Sequence, residues 1–143
     1  MPVLNKVKIT WKGNVSFEAD LGGHKINIDT TKEKGGNDTG PSPMLLLLPS
    51  LVGCSSFGVV GILKKMRITK YKLEIDVEAN KTEEHPQIYD RIDLIYNFTG
   101  ENLDNAKLTK AVTVAEERYC GVYLMLSKTA QINTIIINNG VKI

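Results

Sequence analysis

Cysteine is scarce in this sequence, which contains only Cys54 and Cys120 among its 143 residues. Two thiols cannot form the several disulfides that hold small secreted domains together, so that class of protein is excluded. The two are also too far apart in sequence for a CxxC redox pair or a zinc cluster. If they pair in a reducing compartment, we expect a transient, catalytic disulfide and not a structural one.

An excess of charge of one sign is also lacking. Eighteen basic side chains stand against sixteen acidic ones, which leaves a net charge of +2, and the two signs are interspersed. Because a nucleic-acid-binding protein needs a basic face, nucleic acid is not an expected partner. The first residues, MPVLNKVKITWKG, alternate polar and apolar side chains and contain no run that resembles a signal peptide. This predicts a cytoplasmic protein that is not bound to a membrane.

One long stretch, Thr39 to Leu63, contains no charge at all. Its length would suffice to cross a bilayer, but Pro49 in its middle, followed by three serines and three glycines, favours two buried helices of a protein core. Ser42-Pro43 offers a capping hydroxyl and a proline at the first helical position, so the first helix should begin there. We expect a break or kink near Leu48, because proline removes a helical hydrogen bond, and a second helix capped by Ser50.

Strands are predicted before this stretch. Apolar side chains alternate with polar ones over residues 7–11, 15–21 and 26–28, and the turns between them contain glycine. This pattern predicts an antiparallel meander within residues 1–29. The polar, glycine-bearing residues 30–41 have no periodicity and predict a mobile loop, a candidate lid.

The remaining residues, 42–143, are predicted to form a core of helices and strands. Alternation over 71–79 and 92–98 predicts two long strands. Asp104 is a candidate cap for a helix that ends at Cys120, and a last strand lies near the C-terminus. We therefore expect the α+β class and a single domain over residues 1–143.

Cys54 is the residue with the clearest chemical potential. In the first turn of the predicted second helix, unpaired N–H groups and the helix dipole would stabilise its thiolate and lower its pKa. The alternative is a buried free cysteine that acts as a small apolar side chain, and it stays open for Cys54 and for Cys120. The two predicted helices that carry the cysteines are apolar, so they are expected to meet in a domain of this size.

Four strings follow one another along the chain: GPSPMLLLLPSLVGC, VVGILKKMR, EEHPQIYDRIDLIYNFTGENLD and AVTVAEERYCGVYLMLSKTAQI. In order, spacing and cysteine context, together with the earlier TW-G and GGHKI-ID segments, they resemble the OsmC/Ohr family of thiol-dependent hydroperoxide reductases. The resemblance covers nearly the whole chain. It is strongest to the OsmC-like subgroup.

This resemblance implies a fold and an activity. The fold would be an intertwined homodimer in which antiparallel sheets wrap around central helices, with two active sites at the subunit interface. Cys54 matches the peroxidatic cysteine, which reduces an organic hydroperoxide and becomes a sulfenic acid. Cys120 matches the resolving cysteine, which forms a disulfide with Cys54 that an external dithiol reduces. The resemblance implies an antioxidant role in oxidative stress, with no metal and no organic cofactor.

The sequence departs from the family pattern at Leu45, where the subgroup usually has a glutamate after GPSPM. The assisting arginine of related members is also missing, because the first 38 residues contain lysines and no arginine. A helix terminus alone contributes about 0.3–1 kcal/mol to a thiolate. His24 and Lys25 could supply the missing charge, or they could lie on a strand edge that faces water.

Two further alternatives stay open. Glu117 and Arg118, just before Cys120, either bias the resolving thiol or form a solvated helix face. For the protein as a whole, the alternative to the peroxidase is a catalytically weakened dimer that binds a lipid-like or other apolar small molecule.

Overall fold

The computed structural model describes residues 2–143, which form two compact units divided between Leu48 and Pro49. The first unit contains strands β1 (Lys8–Trp11), β2 (Phe17–Leu21) and β3 (His24–Ile28). Helix α1 (Pro43–Lys65) begins in the first unit and ends in the second. The second unit continues with β4 (Lys72–Lys81), β5 (Tyr89–Thr99), α2 (Asn105–Val114), α3 (Gly121–Leu126), β6 (Gln131–Asn138) and β7 (Val141–Lys142). The predicted α+β class is confirmed.

The first unit contains the predicted antiparallel meander. Strand β2 lies between β1 and β3, with Lys8 opposite Asp20 and Phe17 opposite Ile28. The β2–β3 connection is Gly22-Gly23, and both residues have positive φ, 64° and 89°. Residues with a side chain rarely adopt this backbone conformation. The two glycines therefore allow the two-residue hairpin turn.

The loop after β3 is organised by one buried carboxylate. Asp29 accepts hydrogen bonds from the backbone N–H groups of Thr30, Asn37 and Thr39 and from the Thr39 hydroxyl at 2.7 Å. The Thr39 hydroxyl is the largest cause of a lowered pKa for Asp29, and the backbone donors add to it. The prediction of a mobile loop over residues 30–41 misses this anchor, since a single aspartate gives no periodic signal.

Helix α1 is continuous, so the predicted break near Leu48 is wrong, as are the second helix and its Ser50 cap. Pro49 lies inside the helix. A proline removes the hydrogen bond to the carbonyl four residues earlier, here that of Leu45. Both Leu45 and Pro49 are exposed, so water can take the place of the lost bond, and the helix continues.

The predicted burial of this helix is confirmed on one side only. Leu51, Ser55, Val59 and Leu63 are completely buried and recur every fourth residue. Other apolar side chains of α1 are exposed, and Phe57 most of all, at 83 %. By length and composition α1 could cross a membrane, and 17 % of its most apolar window is buried in this chain.

The second unit has a four-stranded sheet in the order β4-β5-β6-β7. Strands β4 and β5 form the predicted long antiparallel hairpin, with Lys72 opposite Thr99. Strand β6 runs parallel to β5, with Ile92 opposite Ile132, so the expectation of purely antiparallel sheets is wrong. The reason is the helical crossover between β5 and β6, which returns the chain to the same end of the sheet. Alternate residues of β5 are buried: Ile92, Leu94, Tyr96 and Phe98.

The crossover begins as predicted and ends differently. The Asp104 carboxylate accepts a hydrogen bond from the backbone N–H of Lys107 at 3.1 Å, which confirms the cap of α2. The predicted single helix changes at Ala115 into a π-helical turn that ends at Tyr119. Cys120 is extended and caps the next helix, α3. Cys120 therefore begins a helix as well as ending one.

Gly58 allows α1 to pack closely against this π turn. A Cβ atom at Gly58 would lie 2.9 Å from the Ala115 Cβ, closer than real carbon atoms approach. The contact brings the middle of α1 against the segment that carries Cys120.

We expect Gly58→Ala to lower the free energy of unfolding by about 1–3 kcal/mol, because the new methyl group overpacks a close contact. Gly53→Ala is the matched control on the same helix, since its Cβ would meet no atom within 4 Å, and it should gain up to about 1 kcal/mol from helix propensity. Urea unfolding followed by circular dichroism measures both. Equal stabilities of the two variants would contradict the close contact.

Candidate functional site

The structure brings the two predicted site residues together. Cys54 lies half-buried in the middle of α1, and Cys120 is buried between the π turn and α3, with 4 % of its surface exposed. Both are free thiols, and the Cys120 side chain hydrogen-bonds to Cys54. Two residues distant in sequence therefore form one thiol pair.

The surroundings of Cys54 favour its thiolate. Burial alone raises the pKa of Cys54, but hydrogen bonds from the Cys120 thiol and from the backbone N–H groups of Val122 and Gly121 outweigh it. The net pKa is below the ordinary value of a cysteine. The predicted placement of Cys54 in the first turn of its own helix is wrong. The first turn of α3 provides the N–H groups instead.

Cys120 has the opposite character. Its Sγ accepts a hydrogen bond from the Tyr123 backbone N–H at 3.3 Å and lies 3.9 Å from the Leu51 carbonyl oxygen. Burial raises the pKa of Cys120, and the neighbouring Cys54 raises it further. The pair is therefore polarised, because the pKa of Cys54 is lowered and that of Cys120 is raised, so Cys54 loses its proton more readily.

Cys54 opens onto an apolar groove of about 420 Å³. Two aromatic rings at the groove, Phe57 and Tyr119, are mostly exposed. Cys54 lies at one position along the groove and Lys65 at another. The groove is lined by Cys54, Phe57, Gly58, Gly61, Ile62, Lys65 and Tyr119.

The two candidate cations lie in the first unit, whereas both thiols lie in the second. Among the described residues, no lysine, arginine or histidine contributes to the lowered pKa of Cys54. His24 and Lys25 are exposed on β3, where the Lys25 ammonium lies 3.8 Å from the Glu18 carboxylate. This agrees with the strand edge that faces water.

The two residues just before Tyr119 and Cys120 are also exposed, as is Leu45, the position where the family usually has a glutamate. Glu117 and Arg118 face water on the π turn and do not contribute to the pKa of Cys120, so the solvated face is the correct alternative. Leu45 is 52 % exposed on α1.

One buried carboxyl group on the π turn was not predicted. Glu116 is buried, and both its carboxyl oxygens contact the Thr134 hydroxyl, at 3.0 and 2.8 Å. Burial raises the pKa of Glu116 to about 7, although the Thr134 hydrogen bond opposes the shift. Helical periodicity places Glu116 on a polar face, but the π turn changes the direction of its side chain, and no sequence signal predicts that turn.

Within residues 2–143, the structure contains no group of three or more His, Cys, Asp and Glu side chains that could hold a metal ion.

Known proteins resemble this chain over most of its length. A family model described as OsmC-like protein matches residues 35–135, a range that includes both cysteines. Protein YhfA of Escherichia coli K12 is 33 % identical over 128 residues, which is 89 % of this chain and 92 % of that protein.

Solved structures are similar over nearly the whole chain. The crystal structure of a hypothetical protein from Aquifex aeolicus VF5 has a TM-score of 0.81 and 27 % identity, and covers 96 % of this chain and 98 % of its own. An organic hydroperoxide resistance protein from Elizabethkingia anophelis has a TM-score of 0.72 and 16 % identity over 97 % of this chain and 99 % of its own. At that identity the likeness extends to the fold alone.

We expect iodoacetamide to alkylate Cys54 faster than Cys120 at pH 7, because only Cys54 has a lowered pKa. Cys120→Ala should slow alkylation of Cys54 by roughly tenfold, since it removes one hydrogen bond to a charged group. Cys120→Ser is the matched control, because its hydroxyl can still donate. Mass spectrometry over a pH series measures these rates, and equal rates in the two variants would rule out the thiol hydrogen bond as a cause.

Proposed function

The chain belongs to the OsmC-like protein family, and on that premise we propose that it is a cysteine-based peroxidase that reduces organic hydroperoxides. One observation carries the proposal: a thiol with a lowered pKa, hydrogen-bonded to a second, buried thiol, opens onto an apolar groove. Nucleophile, resolving partner and a surface for an apolar substrate are thus adjacent.

The proposed reaction has three steps. The Cys54 thiolate attacks the terminal oxygen of the hydroperoxide, the O–O bond breaks, and the alcohol leaves after taking up a proton. Cys54 is then a sulfenic acid. The Cys120 sulfur attacks the Cys54 sulfur, which forms the disulfide and releases water. An external dithiol reduces this disulfide by two thiol exchange steps and restores both thiols. No step uses a metal or an organic cofactor.

The apolar groove is a reason to expect that organic hydroperoxides bind better than hydrogen peroxide does. Phe57, Ile62 and Tyr119 provide apolar surface beside Cys54, and burial of an alkyl or aryl group there contributes about 25 cal/mol per Å². Hydrogen peroxide has no such group.

We further propose a single domain over residues 1–143 that works as an intertwined homodimer in the cytoplasm. Exposed apolar side chains on α1 support the dimer, because large apolar patches on soluble proteins commonly mark interaction surfaces. These side chains are Leu45, Leu47, Phe57 and Val60. A reducing cytoplasm fits a disulfide that exists only within each catalytic cycle and is then reduced.

A second function, binding of a lipid-like molecule by a catalytically weakened dimer, is supported by a specific observation. No cationic side chain of the described residues contributes to the lowered pKa of Cys54. Positive charge near the reacting oxygens is a common means of stabilising the charge that develops as a bond breaks. The groove alone would suffice for binding.

Substitution of the two cysteines tests the peroxidase. With cumene hydroperoxide and dihydrolipoamide, Cys54→Ser should abolish turnover, because it removes the nucleophile. Cys120→Ser should still consume about one equivalent of peroxide and then stop or slow, because the sulfenic acid is not resolved. Wild-type turnover no higher than that of Cys54→Ser would refute the peroxidase.

Mass spectrometry of the wild-type protein after one equivalent of peroxide distinguishes the two functions. A Cys54–Cys120 disulfide supports the enzyme. Unreacted thiols together with a co-purified lipid support the binding protein.

Lys65 should recognise substrates with a negative charge. It lies three helical turns after Cys54, about 16 Å along α1, and lines the same groove. Lys65→Ala should raise KM for a fatty-acid hydroperoxide about 2- to 5-fold, the effect of losing an exposed ion pair, and leave KM for uncharged cumene hydroperoxide unchanged. Lys64→Ala is the control, since Lys64 is exposed outside the groove. Equal effects on both substrates would contradict this role.

A further inference from the structure

The π turn that leads to Cys120 is held from two sides. On one side the Cβ atom of Ala115 packs against Gly58 of α1. On the other side the Glu116 carboxyl oxygens lie 2.8 and 3.0 Å from the Thr134 hydroxyl on β6. Ala115 and Glu116 are the two buried residues of the turn. The thiol chemistry proposed above does not use Glu116, although a buried carboxyl group is costly unless it is hydrogen-bonded.

The winding of this turn determines where the resolving thiol lies. The Cys120 N–H donates to the Ala115 carbonyl oxygen, five residues earlier, at 3.0 Å, and this is the hydrogen bond of a π-helix. Loss of the extra residue would rotate the residues that follow by about 100° around the helix axis. At present the Cys120 Sγ accepts a hydrogen bond from the Tyr123 N–H at 3.3 Å and lies 3.9 Å from the Leu51 carbonyl oxygen of α1. Its place against α1 therefore depends on the π turn.

The contact between Glu116 and Thr134 is complete when the carboxyl group is protonated. The Thr134 hydroxyl has one hydrogen, so it can direct one full hydrogen bond to an ionised carboxylate, which only accepts. A protonated carboxyl group can also donate to the hydroxyl oxygen, and both short contacts are then hydrogen bonds. Burial favours the same form and raises the pKa of Glu116 to about 7, although the Thr134 hydrogen bond opposes the shift.

The groups around Glu116 offer no positive charge to a carboxylate. Glu117 on the same turn raises the pKa of Glu116 further. Tyr96 of β5 and Tyr123 of α3 are neutral near pH 7, because burial and then the Glu116 charge raise their pKa values. Among residues 2–143, no lysine, arginine or histidine contributes to the pKa of Glu116. An ionised Glu116 would therefore gain free energy by leaving its buried position for water.

We propose that Glu116 is a positioning residue, which places Cys120 for its attack on the oxidised Cys54 by fastening the π turn to Thr134. The proposal rests on the peroxidase function above. While the contact is formed, the turn stays wound between α1 and β6, and the resolving sulfur stays beside Cys54. When the contact is lost, only the packing of Ala115 holds the turn, and the Cys120 sulfur can move away. Glu116 acts through the turn and not on the reacting atoms.

This arrangement makes the positioning sensitive to pH. Because the pKa of Glu116 is higher in the folded chain than its ordinary value of 4.5, the contact contributes fully below that value and is lost as the pH rises through about 7. The Cys120 thiol itself becomes more reactive as the pH rises, so the two effects oppose each other in the wild-type protein. A ratio of rates between a variant and the wild type separates them.

A chemical oxidant tests the placement of the two sulfurs without any peroxide. Diamide adds to the more reactive thiol, and the second thiol then displaces the adduct and forms the disulfide. Reduced wild type, Glu116→Gln and Thr134→Val are treated with one equivalent of diamide between pH 6 and 8.5, and mass spectrometry of quenched samples follows adduct and disulfide. Glu117→Gln is the matched control, because Glu117 is the exposed neighbour. A parallel series uses cumene hydroperoxide, with dimedone to trap the sulfenic acid.

The Glu116→Gln variant should lose the pH dependence and keep the contact, because its amide both donates and accepts at every pH. Its adduct should convert to the disulfide at the wild-type rate at pH 6. At pH 8 it should react about tenfold faster than the wild type, in which about one Glu116 carboxyl group in ten still has its proton. Glu117→Gln should follow the wild type throughout.

The Thr134→Val variant should be slow at every pH. It removes the hydroxyl, and a displacement of a reacting group by about 1 Å can cost about 100-fold in rate. We therefore expect disulfide formation at least about tenfold slower than in the wild type at pH 6. Thr134→Ser should restore the wild-type rate, because it keeps the hydroxyl. The first step, formation of the adduct, should be unchanged in all variants.

Two results would overturn the proposal: a rate ratio of Glu116→Gln to wild type that stays near 1 at every pH, or a wild-type rate in Thr134→Val. A merely structural role would slow both variants by an amount that does not change near pH 7. Formation of the sulfenic acid with a flat ratio would leave the peroxidase intact and refute the positioning. The expected diamide results without any sulfenic acid would support the positioning and refute the peroxidase. If Glu116→Gln does not fold, as judged by thermal unfolding, the two Thr134 variants decide.

Discussion

The candidate site depends on the close packing of α1 against the segment from Ala115 to Val122. Gly58 has no side chain, so the Cβ of Ala115 packs directly against α1, and Cys54 lies one turn earlier on the same helix. The approach therefore determines which groups meet the Cys54 sulfur: the Cys120 thiol and the N–H groups at the start of α3. A wider separation at Gly58 would weaken all of these hydrogen bonds together, because they come from one continuous segment.

Burial acts on the two thiols in the same direction, and hydrogen bonding makes them different. Removal from water raises the pKa of both. Cys54 receives three donors that outweigh this effect, whereas the negative charge favoured at Cys54 adds to it at Cys120. A pair of this kind needs a means of removing the second proton once the first thiol has reacted. Without such a means, the burial that protects Cys120 would also keep it protonated and slow its attack.

Much of the fold could be predicted from the sequence, because alternation and turn residues are local signals. The meander, the β4–β5 hairpin and the Asp104 cap are examples. Pro49 was misjudged because its local cost depends on whether the freed carbonyl group faces water, which only the folded chain determines. The pairing of Cys54 with the N–H groups of α3 joins distant segments. The burial of Glu116 depends on a π turn, whose extra residue per turn shifts the helical face by an amount that periodicity cannot predict.

Leu45 in place of the family glutamate, and the lack of an N-terminal arginine, bear on two separate quantities. From the sequence alone these two quantities cannot be told apart. One is the pKa of Cys54. A helix terminus contributes about 0.3–1 kcal/mol to a thiolate, but an individual hydrogen bond to a charged group contributes typically about 1.5–3 kcal/mol, and Cys54 has several such donors. The pKa of Cys54 is therefore lowered with no contribution from a cationic side chain of the described residues. The other quantity is the stability of the negative charge that develops on the leaving oxygen as the O–O bond breaks. The hydrogen bonds that favour the thiolate point at sulfur and not at that oxygen, and no cationic side chain of the described residues contributes to the pKa of Cys54. In the proposed reaction, the lack of such a contribution would therefore reduce the rate of bond cleavage more than the reactivity of the free thiol.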